Sequence, residues 1–172
     1  MLGWAIEHAT GKPFAELVSA VLWQPMGAET DAYVTLDRQG LARCAGGVCA
    51  TVRDLARLGQ LIVNGGRRRG RQVIPLPWID DLAKNGDRQA WTAGEWARLF
   101  PYRNMSCRSG WYVVDDAPAM VFAMGIYGQN LFVDVPNRLI IAKLSSQAAP
   151  VDPKAWALTH RAIAQIRHYL LG

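Results

Sequence analysis

Cysteine is scarce in this chain, and its three copies form no recognisable framework. Cys44 and Cys49 flank Ala45-Gly46-Gly47-Val48, and Cys107 stands alone. No C-x-x-C pair occurs and no histidine has ligand spacing to them, which argues against a disulfide scaffold and a zinc module. Free thiols fit a reducing compartment. Long apolar runs are missing too. The longest, Met120 to Ile126, falls far short of the roughly 20 residues that a membrane span needs. The first residues, Met1 to His8, hold Glu7 inside their apolar run and no basic leader, so they do not read as a signal peptide and a cytoplasmic location is expected. With 16 glycines and 9 prolines, no collagen-like or low-complexity segment is present.

What is there is a globular composition. Of 172 residues, 51% are apolar and 19% charged, enough for a core without staples. The net charge of +5 is concentrated in Arg67, Arg68, Arg69 and Arg71. Without those four, 15 basic residues face 14 acidic ones. The run follows Asn64-Gly65-Gly66 and contains Gly70, so it reads as a solvated loop. An anionic or nucleic-acid patch is the alternative, although no aromatic interleaves with the arginines to stack on bases.

Apolar periodicity predicts a helix over residues 1–9, closed by Thr10-Gly11. A second runs from Phe14 to Trp23, with Phe14, Leu17, Val18, Val21 and Leu22 as its buried stripe. Pro25 stops it. Asp31 to Leu36 reads as a short strand and Arg43 to Ala50 as a glycine-rich loop. Thr51-Val52-Arg53-Asp54 is a capping box, with the Asp54 carboxylate reaching back to the Thr51 N–H. Its helix carries Leu55, Leu58, Leu61 and Ile62 to Gly65-Gly66. Pro75 to Lys84 reads as a short helix, and the stretch on to Asn104 as irregular. The period then changes to two. Gly110–Val114, Met120–Tyr127, Asn130–Val135 and Leu139–Leu144 read as strands, with a turn at Val135-Pro136-Asn137-Arg138. From Pro153 a long amphipathic helix carries Trp156, Ile163, Ile166 and Leu170. The expected architecture is α+β: an antiparallel sheet with helices segregated to one side. Residues 1–104 would be its mostly helical part and 105–172 its strands plus the C-terminal helix.

Catalytic motifs are absent in their usual form. No serine heads S-x-x-K or sits in G-x-S-x-G. His160 and His168, eight apart on the last helix, read as a solvated face. Asp80-Asp81 and Asp115-Asp116 read as turn or cap residues. Tyr102-Arg103-Asn104 matches Y-x-N, a three-residue pattern with one free position.

Several segments, in order, resemble the serine β-lactamase-like superfamily of class C β-lactamases, esterases and D-Ala-D-Ala carboxypeptidases. They are Leu2-Gly3-Trp4-Ala5-Ile6-Glu7-His8-Ala9-Thr10-Gly11-Lys12-Pro13-Phe14, then Trp23-Gln24-Pro25-Met26-Gly27, then Ala45 to Gly59 with Asn64-Gly65-Gly66, then Tyr127 to Asp134. Leu22 to Tyr33, Arg108-Ser109-Gly110-Trp111-Tyr112 and Gly125 to Gln129 are most similar to the 6-aminohexanoate-dimer (nylon-oligomer) hydrolases.

The resemblance implies the C-terminal portion of a β-lactamase/transpeptidase-like fold, an antiparallel sheet flanked by helices with the N-terminal part missing, and a parent that hydrolyses an ester or amide through an acyl-enzyme. The family's S-x-x-K and Y-x-N precede the segment matching Met1 to Gly11, so this chain lacks both, and Tyr102-Arg103-Asn104 comes too late to replace the second. Ala123-Met124-Gly125 falls where Lys-Thr-Gly stands. Without that lysine and threonine, an esterase or amidase fits better than a penicillin-hydrolysing enzyme. Gly125 would allow close backbone approach, and Ile126 would give its backbone N–H to an oxyanion hole. Tyr127, Trp111 and Gln129 are the candidates for lining the substrate cleft, with core or strand packing as the alternative for each. No cofactor is implied. The expected partners are a small ester or amide substrate of the parent and either a second copy of the chain or the missing N-terminal half, since open sheet edges and apolar faces associate. Two other classes compete: a non-catalytic binding module of the same fold, and a basic interaction protein working through Arg67 to Arg71.

Overall fold

The computed structural model describes residues 2–102, 104–115 and 120–172. Arg103 of the Y-x-N match and Asp116 of the acidic pair lie outside them. The chain opens with α1 (Leu2–Thr10) and α2 (Phe14–Val18), the latter running straight into a π-helical turn over Ser19–Trp23. Glu7 of α1 accepts the Phe14 N–H at 2.8 Å, which joins the two helices at a right place for an acid, the start of α2. The apolar stripe expected to be buried here is not. No residue of α2 or the π turn is fully buried: Phe14, Leu17, Val18 and Leu22 are half-buried and Val21 is 54% exposed.

β1 (Tyr33–Val34) pairs antiparallel with β2 (Val48–Cys49), so the glycine-rich stretch expected as loop holds a short strand. α3 (Val52–Val63) begins at Thr51, whose hydroxyl oxygen accepts the Asp54 N–H at 3.1 Å. The other half of the expected capping box does not form. Asp54 is fully buried, and its carboxylate turns away from the Thr51 amide. It accepts instead from the Glu29 N–H (2.7 Å), the Thr30 and Thr51 hydroxyls (2.8 Å each) and Arg57 (3.1 Å). Gly59 lets α3 lie close on the sheet: a Cβ there would stand 2.7 Å from Ile140 Cγ2. The arginine run is a tight hairpin rather than a loop, with β3 (Arg67–Arg68) paired to β4 (Arg71–Gln72). α4 (Leu76–Lys84) follows, and the stretch expected as irregular contains α5 (Arg88–Ala93) and a 3-10 turn over Glu95–Leu99. Asp80 and Asp81 therefore sit within a helix, not a turn.

The remainder is a five-stranded antiparallel meander, β5 (Met105–Arg108), β6 (Trp111–Val114), β7 (Met120–Gly125), β8 (Gln129–Asp134) and β9 (Leu139–Lys143), in that spatial order. β5, four residues with a single large apolar side chain, is too short to show in the period-two reading. Its Arg108 forms a two-pronged pair with Asp81 of α4, 2.8 Å at each nitrogen. α6 (Pro153–Leu171) closes the chain.

The register sorts the strands into two faces. Val113, Val121 and Val133 pair across one face and, with Leu131 and Trp111, pack with Ile62 of α3 and Leu82 of α4. Tyr112, Phe122 and Phe132 stack on the other, with ring centroids 5.1 and 5.3 Å apart, and pack with Phe100 and Ile163 of α6. Helices thus cover both faces, not one. The physical sign is in the strands themselves: Val121-Phe122-Ala123-Met124 and Leu139-Ile140-Ile141-Ala142 are continuous apolar runs, as strands buried on both faces require. Arg167 of α6 reaches the buried Asp134 of β8 at 2.9 Å and fixes the helix across the sheet.

His160 of α6 does not lie on the solvated face expected for it. It is 4% exposed rather than solvated, edge-on to Phe100, Phe122 and Phe132, with Nδ1 3.0 Å from the Tyr102 hydroxyl. Burial holds its pKa down to about 4, from 6.5. The folded state therefore favours neutral His160, and stability that is complete above pH 6.5 falls as the pH drops towards 4. Over that window the loss is on the order of 3 kcal/mol. Urea unfolding at pH 7, 5.5 and 4 should show this slope, and His160→Gln should flatten it even if it lowers stability at pH 7.

Asp54 acts in a lower window. Its burial would raise the pKa, but the hydrogen bonds from Glu29, Thr30 and Thr51 outweigh burial and bring it to about 2, from 3.8. The stability it contributes is present above pH 3.8 and lost only as the pH falls towards 2. Asp54→Asn leaves several of these donors facing an amide, and at pH 7 it should lower unfolding stability by about 3 kcal/mol, measured by chemical denaturation.

Candidate functional site at the open end of the sheet

β7 ends at one edge of the sheet where the ladder runs out. Its last pair is Gly125 with Gln129, and between them the chain makes a single 3-10 turn, Ile126–Gly128. The end of β6 that carries Trp111 and the end of β9 that carries Lys143 lie on the same side. Gly125 has an ordinary extended φ of −118°. Its lack of a side chain leaves room for Gln129, whose Cβ would lie 3.1 Å from a Cβ at 125.

The turn is forced rather than relaxed. Tyr127 has φ 59° and ψ 23°, a left-handed conformation that costs a bulky residue energy unless its surroundings hold it. The surroundings are the residues after β9. The Tyr127 N–H donates to Pro150 O (3.1 Å) and the Gln147 N–H donates to Tyr127 O (3.2 Å). The Lys143 ammonium donates to Gly128 O at 2.8 Å. Gln129 Nε2 donates to Ser145 O at 2.6 Å, and its Oε1 accepts the Ser145 N–H at 2.9 Å. Gly128, at φ 84°, is covered by the Gln147 amide, 2.5 Å from where a Cβ would be.

Four of the five residues singled out from the sequence therefore meet in this turn. Ile126 is 56% and Tyr127 41% exposed, so both face open space. Gln129 is part of the turn, but both ends of its amide are engaged by Ser145. Trp111 stands apart. Its side chain is 9% exposed and belongs to the α3–α4 face, where it helps line an apolar groove of about 420 Å³ with Leu22, Ile62, Ile74 and Trp78. The sequence reading missed Lys143, Ser145, Gln147 and Pro150. Their only signal was a polar segment directly after an apolar strand. Among the described residues no group of three or more His, Cys, Asp or Glu could hold a metal, and no helix is long and apolar enough to cross a membrane.

Residues 1–165 match the beta-lactamase family, and the chain belongs to it; this is the fold of serine hydrolases. Among curated proteins the chain is similar to a 6-aminohexanoate-dimer hydrolase of Paenarthrobacter ureafaciens, 34% identical over 156 residues, 91% of this chain and 39% of that protein. Among solved structures it matches a putative 6-aminohexanoate-dimer hydrolase from Bacillus anthracis at TM-score 0.82 and 30% identity, over 98% of this chain and 42% of that one. A putative beta-lactamase from Bacteroides dorei shares the fold, at TM-score 0.61 and 20% identity over 85% of this chain and 48% of its own. The chain thus spans about two fifths of the length of the 6-aminohexanoate-dimer hydrolases it matches.

Gly128→Ala tests how firmly the turn is held. A Cβ at φ 84° that also meets Gln147 should lower stability by about 1–2 kcal/mol. In thermal melts it should destabilise more than Gly70→Ala, where φ is 80° but a Cβ meets nothing within 4 Å.

Proposed function

We propose that this chain supplies the oxyanion donor and one wall of the substrate cleft of a serine hydrolase that acts on esters or amides. The observation that carries the reading is the turn after β7: a backbone fixed in a costly conformation, with Ile126 exposed at its tip. In an acyl transfer of this kind a serine oxygen bonds to the substrate carbonyl carbon, and the carbonyl π electrons move onto oxygen. The Ile126 N–H would stabilise that oxyanion. When it collapses, the bond to the leaving alcohol or amine breaks and the leaving group carries away a proton. Water then repeats the sequence on the acyl-enzyme. A rigid donor is what this needs, since one that must first reorganise stabilises less. Gly125 gives the backbone its approach, and Tyr127 lines the cleft beside it. Trp111, set apart in the groove against α3 and α4, is left out of this cleft. The name borne by the relatives favours an amide, the dimer of 6-aminohexanoate, as substrate.

No serine of the chain heads S-x-x-K, so the nucleophile and its base would come from a segment outside these 172 residues. Leu2, Trp4, Tyr33, Leu36 and Leu41, each more than half exposed, support a further segment or a second copy lying against α1 and the β1 region. The chain acts in the cytoplasm on this reading. A non-catalytic module of the same fold is the second reading, favoured by the missing nucleophile.

Two measurements test this. The purified chain should hydrolyse p-nitrophenyl acetate no faster than buffer, and serine-dependent turnover would overturn the division of labour. The coding DNA upstream of Met1 should carry an in-frame S-x-x-K followed by Y-x-N; stop codons in their place would favour the non-catalytic module.

A further inference from the structure

We propose that Lys143 and Gln129 are positioning residues that brace the Gly125–Gln129 turn and thereby fix the Ile126 N–H. The inference rests on the oxyanion reading of Ile126 but is tested apart from it.

The geometry points to a brace rather than incidental contacts. The β8–β9 ladder stops at the Asn130–Lys143 pair. Beyond it the two chains would be free to separate, and the turn would lose its support on that side. Gln129 continues the ladder with its side chain: its amide donates to Ser145 O and accepts from Ser145 N–H, as a backbone peptide would. Lys143 closes the gap from the strand end, donating to Gly128 O at 2.8 Å. Directly before these two ties sits Tyr127, the residue whose φ of 59° most needs support. Its own amide and carbonyl are held by Pro150 and Gln147, and those residues are brought there by the segment that Gln129 and Lys143 anchor. The two side chains thus act on Ile126 through the backbone that follows it and need touch no substrate. The arrangement also gives Gln129 a role other than substrate contact, because neither atom of its amide is free.

The test uses the whole 15N-labelled chain and amide hydrogen exchange followed by NMR. Lys143→Met keeps the aliphatic stem and removes the donor; Gln129→Leu removes both ladder bonds. Each should speed exchange at the Tyr127 and Gln147 amides by tenfold or more, lower the heteronuclear NOE of Ile126 and move its amide cross-peak. Phe122 and Phe132, in the core of the same sheet, should exchange at unchanged rates. Lys143→Arg, which keeps a donor, should restore the native turn. Exchange at the turn that stays as in the native chain, or that rises in step with Phe122 and Phe132, would overturn the proposal. Where Gln129→Leu does not fold, Lys143→Met carries the test. No turnover is read, so a failure here leaves the oxyanion reading standing. Conversely, a loosened turn in a parent enzyme indifferent to it would remove that reading and keep the brace.

Discussion

A sheet buried on both faces governs the rest of this molecule. β6, β7 and β8 are its inner strands, with Val121 and Val133 pressed on the α3–α4 layer and Phe122 and Phe132 on the α6 side. Neither face can hold an unpaired polar group without a large penalty. Two of the buried polar groups there are tied by side chains: Asp134 to Arg167 and Asn137, and His160 to Tyr102. Freedom of the backbone is left to the sheet's end, where strands stop and the chain can turn. The Gly125–Gln129 turn is where that freedom is used, on a rigid platform that a loop on the molecule's margin would lack.

Buried polar anchors join the layers around that platform. Asp54 gathers the Glu29 amide, two threonine hydroxyls and Arg57 at the start of α3, so the helix and the stretch after Met26 move as one. The Arg108–Asp81 pair ties the edge strand β5 to α4, and Arg88 ties α5 to Asp115 at the end of β6. These latter pairs are half-exposed, and such pairs contribute little energy; their effect is on placement.

Much of this was readable from residue order. The strand positions from β6 to β9 follow from runs such as Asn130-Leu131-Phe132-Val133, and their ends shift by a residue or two. The Thr51 cap and the stop at Gly65-Gly66 are local chemistry and formed where expected. The family likeness, and with it Gly125 and Ile126, came from ordered motifs. What escaped was whatever depends on a distant partner. β5 is only four residues long, too short for its Met-Ser-Cys-Arg alternation to stand out, and it exists because β6 lies beside it. His160 and His168 share a helix and a composition; only the packing of α6 on Phe122 and Phe132 buries one of them. Phe14 to Leu22 has a periodic apolar stripe, yet periodicity states which side of a helix is apolar and not whether anything lies against it.

The sequence by itself determined the period of each element, the turn residues between them and the membership of the family, because these rest on neighbours within a few positions or on motifs in a fixed order. The tertiary structure alone decided which helix covers which face of the sheet. It alone set the Asp54 carboxylate among donors from residues 29, 30, 51 and 57. It also brought Lys143, Ser145, Gln147 and Pro150 around Tyr127. Those arrangements depend on where separate segments meet in space, and a hydrogen bond or a buried face has no energy until both partners are in place.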